Sequence, residues 1–392
     1  MKDPSQTGYV WAEPGPYEVR RKPRGQLRVQ LPRVVVAAPL AFVLFMVFGF
    51  SYLVSPEPDV TLKPGAGFAT VRGAEVALVP YQRSGKRGLV QMITQDMFQA
   101  RLAAVELATG RALWDVQLAD RLSWPVRVLA AGERMAYVST DEGLVILDLG
   151  SGKIEVRGGL VPGLSRPVHS RSAYGYDRRH RALVAMDADG GLRTIALDAA
   201  TATPAAPEVA AAWAGKLSAQ RSSTSATAAS ATEALLPGRE TVQLRARGAA
   251  PGRTLVRRSP DGRTGAVGET VFHEAQLPLT PPPGEAEPEG FPTGPRPDAA
   301  AGGPAGFVVV HHNKDVNARD RALSVVSLET GQVTATLPVG TGQARALTSP
   351  EHRTLLYVRA GDHDTGEGLL VVGLDGRITV AEFGRLDFFG NP

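Results

Sequence analysis

The chain has 392 residues, 43% of them hydrophobic and 21% charged, which excludes disorder along its whole length and leaves room for one large or two ordinary globular domains. The net charge is +4, only seven of the 43 basic residues are Lys, and the Arg residues are scattered among Asp and Glu, so the composition argues against nucleic acid as a partner. With no Cys there is no disulfide framework, thiolate metal site or cysteine nucleophile, while 43 Gly and 30 Pro point to a turn-rich β protein.

Residues 1–33 are rich in Pro, Gly and charge and carry no sustained periodicity, which predicts a disordered basic tail. Arg20, Arg21, Lys22, Arg24, Arg28 and Arg33 crowd its end, where they suit anionic headgroups. Residues 34–54, VVVAAPLAFVLFMVFGFSYLV, contain no charge. A helix of about 20 apolar residues spans the ~30 Å hydrocarbon core, so this run predicts a single transmembrane helix that contacts membrane lipid, with Pro39 in its first third. Basic residues before it and Glu57 and Asp59 after it place the tail in the cytoplasm and residues 55–392 outside, by the positive-inside rule. The run is long for a cleaved leader and no Ala-x-Ala site follows, so it reads as a signal anchor in the cytoplasmic membrane.

Beyond the helix a unit recurs. In AAVELATGRALWDVQL (103–118), Val105 and Leu107 alternate with Glu106, Thr109 and Gly110 make a turn, and Leu113, Trp114, Val116 and Leu118 begin a second strand. GLVILDLGSGKIEV (143–156) sets Asp148 and Gly152 42 residues after Glu106 and Gly110. LRTIALDAATATP (192–204) offers Asp198, ALSVVSLETGQVTATL (322–337) restores Glu-Thr-Gly at Gly331, and GLLVVGLDGRITVAEF (368–383) has a tighter Asp-Gly turn at Gly376. A period in the forties is that of propeller blades. SPDGRT (259–264) and SPEHRT (349–354) lie 90 residues apart and predict hairpins between the first two strands of two blades. Residues 126–160 hold four strands, one complete blade. The fold class is therefore all-β, a β-propeller of six or seven four-stranded blades, with Trp114 packing one blade on the next.

Ala104, Glu106, Thr109, Gly110 and Trp114 resemble the A-x-(D/E)-x-x-T-G-x-x-x-W repeat of the pyrroloquinoline-quinone-like β-propellers. The resemblance covers about residues 60–390, but Val156 or Ala335 replaces the Trp in later copies. That superfamily includes quinoprotein dehydrogenases and non-catalytic propellers, and the resemblance implies a divergent non-catalytic member: the vicinal disulfide of the dehydrogenases needs Cys, and the Trp-bearing repeat is complete only once.

Low-complexity insertions interrupt the pattern near 201–240, which includes an Ala-rich helix over 205–220, and near 279–306, with a degraded blade over 241–279 between them. No nucleotide-binding loop, nucleophile elbow, zincin motif or EF-hand is present, and no catalytic residue or organic cofactor is assigned. One polar constellation stands out. VVVHHNKDVNARD (308–320) supplies His311, His312 and Asp315, and RAGDHDTGEG (359–368) supplies Asp362, His363 and Asp364, both read as second-to-third-strand loops of adjacent blades. Calcium would use the three Asp, and a zinc-like ion would use His363 with one of the His pair, against the alternative of solvated loops. The leading expectation is a non-enzymatic, membrane-anchored binding or scaffolding module with a protein or ligand partner. A divergent quinoprotein-like or metal-dependent enzyme is one alternative, and a sensor signalling through the cytoplasmic tail is another.

Overall fold

In the computed structural model the described residues are 31–121, 126–164, 168–218, 230–236, 239–248, 251–280, 300–342, 344–359 and 367–391. Helix α1, Leu31–Val54, contains Pro39 and leads directly into strands. Its side chains are described from Pro39 onward, and among the described residues no helix is long and apolar enough to cross a membrane.

Six antiparallel units follow in chain order, each four strands wide, with two short strands sharing one edge position in the first. The first is built from β1 Asp59–Leu62, β2 Gly67–Val71 and β3 Ala74–Ser84, then helix α2 Gly88–Thr94, β4 Phe98–Glu106 and β5 Ala112–Ala119. Strand β3 is long enough for β1 and β2 to share one of its edges, Leu62 opposite Tyr81 and Gly67 opposite Leu78. The second unit is β6 Val126–Ala131, β7 Met135–Thr140, β8 Gly143–Asp148 and β9 Ile154–Arg157, the blade legible in the sequence. The third is β10 Tyr174–Asp177, β11 Ala182–Met186, β12 Leu192–Ala196 and β13 Thr203–Pro204, followed by α3 Pro207–Trp213, a shorter helix than the Ala-rich stretch suggests. After the two-residue β14, Ser230–Ala231, the fourth is β15 Glu233–Leu235, β16 Thr241–Ala246, β17 Arg253–Arg258 and β18 Thr264–Ala266. The fifth starts with β19 His273–Thr280; the short β20, Ala300–Ala301, bridges it to β15, and β21 Phe307–Asn313, β22 Arg321–Ser327 and β23 Val333–Val339 complete it. The sixth is β24 Arg345–Thr348, β25 Thr354–Arg359, β26 Glu367–Val372 and β27 Ile378–Val380.

This is the arrangement of a β-propeller, with six blades among the described residues. Where neighbouring sheets meet, their apolar faces bury one another. Val76, Leu78, Leu102 and Leu118 of blade 1 pack on Val126, Val138, Val145 and Leu147 of blade 2, and Tyr137 and Ile146 of blade 2 pack on Tyr174, Leu183 and Ile195 of blade 3. Blades 4 and 5 meet through Val242, Leu255, Leu277 and Val310, and blades 5 and 6 through Val309, Leu323, Leu356 and Leu370. The last blade closes on the first: Leu347, Leu355, Leu369 and Val371 share a cluster with Ala77, Val79, Tyr81 and Val105. Among the described residues no such cluster joins blades 3 and 4.

The recurring turn joins the third strand of a blade to the fourth. The backbone N–H groups of Glu106, Asp148 and Ser327 donate to the carbonyls of Arg111, Lys153 and Gln332, while those of Gly110, Gly152 and Gly331 donate back to Glu106, Asp148 and Ser327. The acidic side chain at the head of the turn accepts a hydrogen bond from within it, Glu106 from Thr109 Oγ1 at 2.6 Å and Asp148 from Ser151 N at 2.8 Å.

The position of one predicted hairpin needs correction. The 259–263 turn lies between β17 and β18, the third and fourth strands, whereas 349–353 lies between the first two, so the shared Ser-Pro motif marks a tight turn without marking its position in a blade. Trp114 packs on the next blade as expected, against the cluster shared by blades 1 and 2, and donates from Nε1 to Leu149 O at 2.8 Å while remaining half-buried.

Candidate functional site

The structure separates the sequence-selected polar residues. His311 and His312 belong to β21 itself, because pairing of β21 with β22 runs on to Asn313 opposite Arg321; the loop starts at Lys314. His311 is 2% exposed and its Nε2 has no hydrogen-bond partner among the described residues. Burial pushes its imidazole down to about 3, with Arg321 and His312 adding to the shift. His312, on the other side of the strand, packs edge-on against Phe272 at 5.0 Å. Its Nε2 lies 2.8 Å from Ser324 Oγ, which lies 2.9 Å from Thr336 Oγ1, so a polar line crosses three strands of blade 5. Burial also lowers the His312 imidazole. Asp315 is exposed and accepts from Asn317 N within its own turn.

Asp362, His363 and Asp364 lie outside the described residues. The strands flanking them, β25 and β26, are the second and third of blade 6, as β21 and β22 are of blade 5, so the two stretches are equivalent connections. Among the described residues no group of three or more His, Cys, Asp or Glu side chains is arranged to hold a metal ion.

The equivalent connection in blade 1 is the most elaborate, and sequence reading missed it. Between β3 and β4 the chain forms α2, whose short apolar run lacks strand alternation, the one signal that marks it. Its inner face is fixed by Gln91, fully buried, which accepts from Arg83 Nη2 at 2.9 Å and Arg87 N at 3.0 Å and donates to Asp387 O at 2.7 Å. The helix rests on the last turn of α1. Leu89 N donates to Ser51 Oγ at 2.8 Å, Arg87 Nε donates to Tyr52 O at 3.2 Å, and the Arg87 guanidinium lies 4.5 Å from the Tyr52 ring centroid. A Cβ on Gly88 would stand 2.7 Å from the Tyr52 Cα, so only glycine permits this approach. Arg87 also pairs with Glu57 at 2.8 Å.

The C-terminal residues complete the junction. Glu382 pairs with the Gly110 turn, and Gly384 N donates to Asp115 Oδ2 at 3.2 Å. Asp115 is buried and accepts from Arg101 Nε at 2.9 Å and Tyr81 Oη at 2.5 Å. Burial first, and the Asp115 charge second, hold the Tyr81 phenol well above its usual value. Tyr52 Oη donates to Leu386 O at 3.2 Å and its ring meets Phe388 edge-on at 5.5 Å. Met92, Ile93, Met97 and Phe389 are left exposed around this joint.

No protein-family model and no curated protein matches the chain. Among solved structures it is similar to TolB from Acinetobacter baumannii, at 10% identity over 81% of this chain and 65% of that one, with a TM-score of 0.26. The chain thus spans slightly less than two thirds of TolB. It is also similar to the Cps50 (Swd1) β-propeller domain of Myceliophteria thermophila, at 10% identity over 81% of this chain and 98% of that one, with a TM-score of 0.28. The β-propeller domain of the trilobed protease from Pyrococcus furiosus aligns at 9% identity over 85% and 100%, also with a TM-score of 0.28.

Proposed function

We propose that this chain is a membrane-anchored β-propeller, held outside the cytoplasm by one helix, that serves as a non-enzymatic binding module for a protein or ligand. The observation that carries the anchor is α1. Phe42, Phe45, Phe50 and Leu53 are exposed on it, an arrangement that costs free energy in water and stabilises a helix in lipid. The uncharged run 34–54 within it matches the hydrocarbon thickness. The binding role rests on a ring rigidified by packed interblade clusters that presents loops of varied chemistry, including the Asp315 turn. The Trp114 contact with Leu149 and the Glu106–Thr109 turn support a distant relation to the pyrroloquinoline-quinone-like propellers.

Membrane fractionation tests the anchor: the full chain should resist alkaline extraction, and a reporter fused after Pro392 should be active only on the outer side. Release by alkali, or a reporter active in the cytoplasm, would overturn it. Crosslinking in intact membranes followed by purification of the ring tests the binding role, and recovery of the chain alone at every crosslinker length would count against it.

A further inference from the structure

The strongest unassigned surface is the apolar rim formed by α2 and the C-terminal tip. We infer that Met92, Ile93, Met97 and Phe389 seat blade 1 on the lipid surface beside the anchor helix, so that the ring stands on the membrane in one fixed orientation. The inference rests on the anchor reading and adds a second lipid contact, made by the propeller itself.

Three observations carry it. First, the rim is held at a defined level along α1. Leu89 N bonds to Ser51, Arg87 and Gly88 lie against Tyr52, and the Leu386 carbonyl accepts from the Tyr52 hydroxyl. Ser51 and Tyr52 are near the outer end of the apolar run, followed only by Leu53 and Val54, both exposed. If that run fills the hydrocarbon core, α2 is brought to the boundary between headgroups and acyl chains, where Tyr52 also suits the aromatic belt.

Second, α2 has two unlike faces. Gln91 and Gly88 are buried against blade 1, the tail and α1, while Met92 and Ile93 point away, Ile93 77% exposed. Met97, just past the helix, and Phe389, on the tail that Gln91 grips through Asp387, are exposed as well. Apolar residues exposed on a helix that rests on α1, and on the tail whose Gly390 lies against Gln95, fit a lipid interface better than water.

Third, the chain topology agrees. In an antiparallel blade the connection from second to third strand and the entry from the preceding element lie at the same end. α1 enters blade 1 at that end, and α2 is its second-to-third connection. The Asp315 turn is the equivalent connection of blade 5, so it faces the membrane too, while the glycine turns at Gly152 and Gly376 face away.

The absence of Cys makes the test clean. The full chain would be reconstituted in vesicles of phosphatidylcholine and phosphatidylglycerol with single substitutions Ile93→Cys, Met97→Cys and Phe389→Cys, each carrying an environment-sensitive fluorophore. Phe45→Cys, read with lipids bearing a nitroxide deep in the acyl chain, reports on the anchor, and Leu374→Cys and Asp261→Cys report on turns at the opposite end of their blades. The expected result is blue-shifted emission at positions 93, 97 and 389, quenched severalfold by lipids bearing a nitroxide near the headgroup, with water-like unquenched emission at 374 and 261. Water-like emission at 93, 97 and 389 while position 45 is quenched would overturn the seat and leave the anchor standing. Blue-shifted emission that lipid nitroxides do not quench would assign the rim to a protein or a second copy, and would also overturn it. Loss of quenching at position 45 would remove the anchor and the seat together.

Discussion

His311 shows how burial changes the role of a residue type. A histidine beside another histidine, ahead of Asp315, suggests a ligand set, but in β21 its imidazole is enclosed and held neutral down to about pH 3. Its folded-state value lies below the ordinary ~6.5 of an unfolded chain, so between the two only the unfolded state takes up the proton. Stability is therefore complete above about pH 6.5 and falls by about 1 kcal/mol per unit as the pH drops toward 3. His311→Leu should flatten the decline of Tm between pH 6.5 and 5, where ordinary carboxylates have not yet titrated. An unchanged slope would show that His311 is not the linked group.

At the scale of the element, the turn between third and fourth strands explains why the repeat keeps its glycine. Gly110, Gly152, Gly331 and Gly376 share φ values of +72°, +72°, +71° and +74°. Each turn also lies against the preceding blade: a Cβ on Gly152 would stand 2.6 Å from the Trp114 ring, and one on Gly110 would stand 2.7 Å from Val380 O. Left-handed backbone costs a residue with a Cβ about 1–2 kcal/mol, and displacement of the Trp114 ring adds to that. Gly152→Ala should thus lose more than about 2 kcal/mol in urea denaturation. Gly190→Ala, at φ +81° with nothing within 4 Å, should lose only about 1 kcal/mol. Equal losses at the two sites would remove the packing argument. Blade 3 uses a different device at the same place. Asp198 accepts from the backbone N–H groups of Glu133, Arg134 and Met135 in blade 2; burial works to raise its carboxyl, but these donors outweigh it and hold it below the usual range.

For the whole molecule, closure depends on the C-terminal segment meeting blade 1. The apolar cluster between blades 6 and 1 supplies the area, and the Tyr81–Asp115–Arg101 group supplies a polar anchor that also receives Gly384 N. Removing one partner of a buried ion pair costs about 3–5 kcal/mol, because the other charge is left without compensation. Asp115→Asn should accordingly lower the stability of the ring by about that amount and expose the tail beyond Ala381 to protease under native conditions. Retention of both parental stability and tail protection would show that the apolar cluster closes the ring unaided. The seam between blades 3 and 4 differs, since among the described residues Gly262, in the turn of blade 4, has nothing within 4 Å of where its Cβ would lie.

The sequence by itself determined the blade as a unit, since period-2 alternation and a glycine that must adopt positive φ are properties of a few adjacent residues. Val126–Arg157 was legible as four strands, and Glu106, Asp148 and Gly331 marked the same turn in three blades. Other features depended on contacts between distant residues, and only the tertiary structure decided them. It set out six blades among the described residues, moved His311 and His312 from a loop into a strand by pairing them with Leu323 and Ala322, and assigned the 259–263 turn to the third and fourth strands. It also brought Gln91 to Asp387 and Tyr52 to Leu386, which turned a short apolar stretch in blade 1 into the joint between ring and helix. Local pattern records which face of a strand is buried, but the partner that buries it is chosen by packing across the chain.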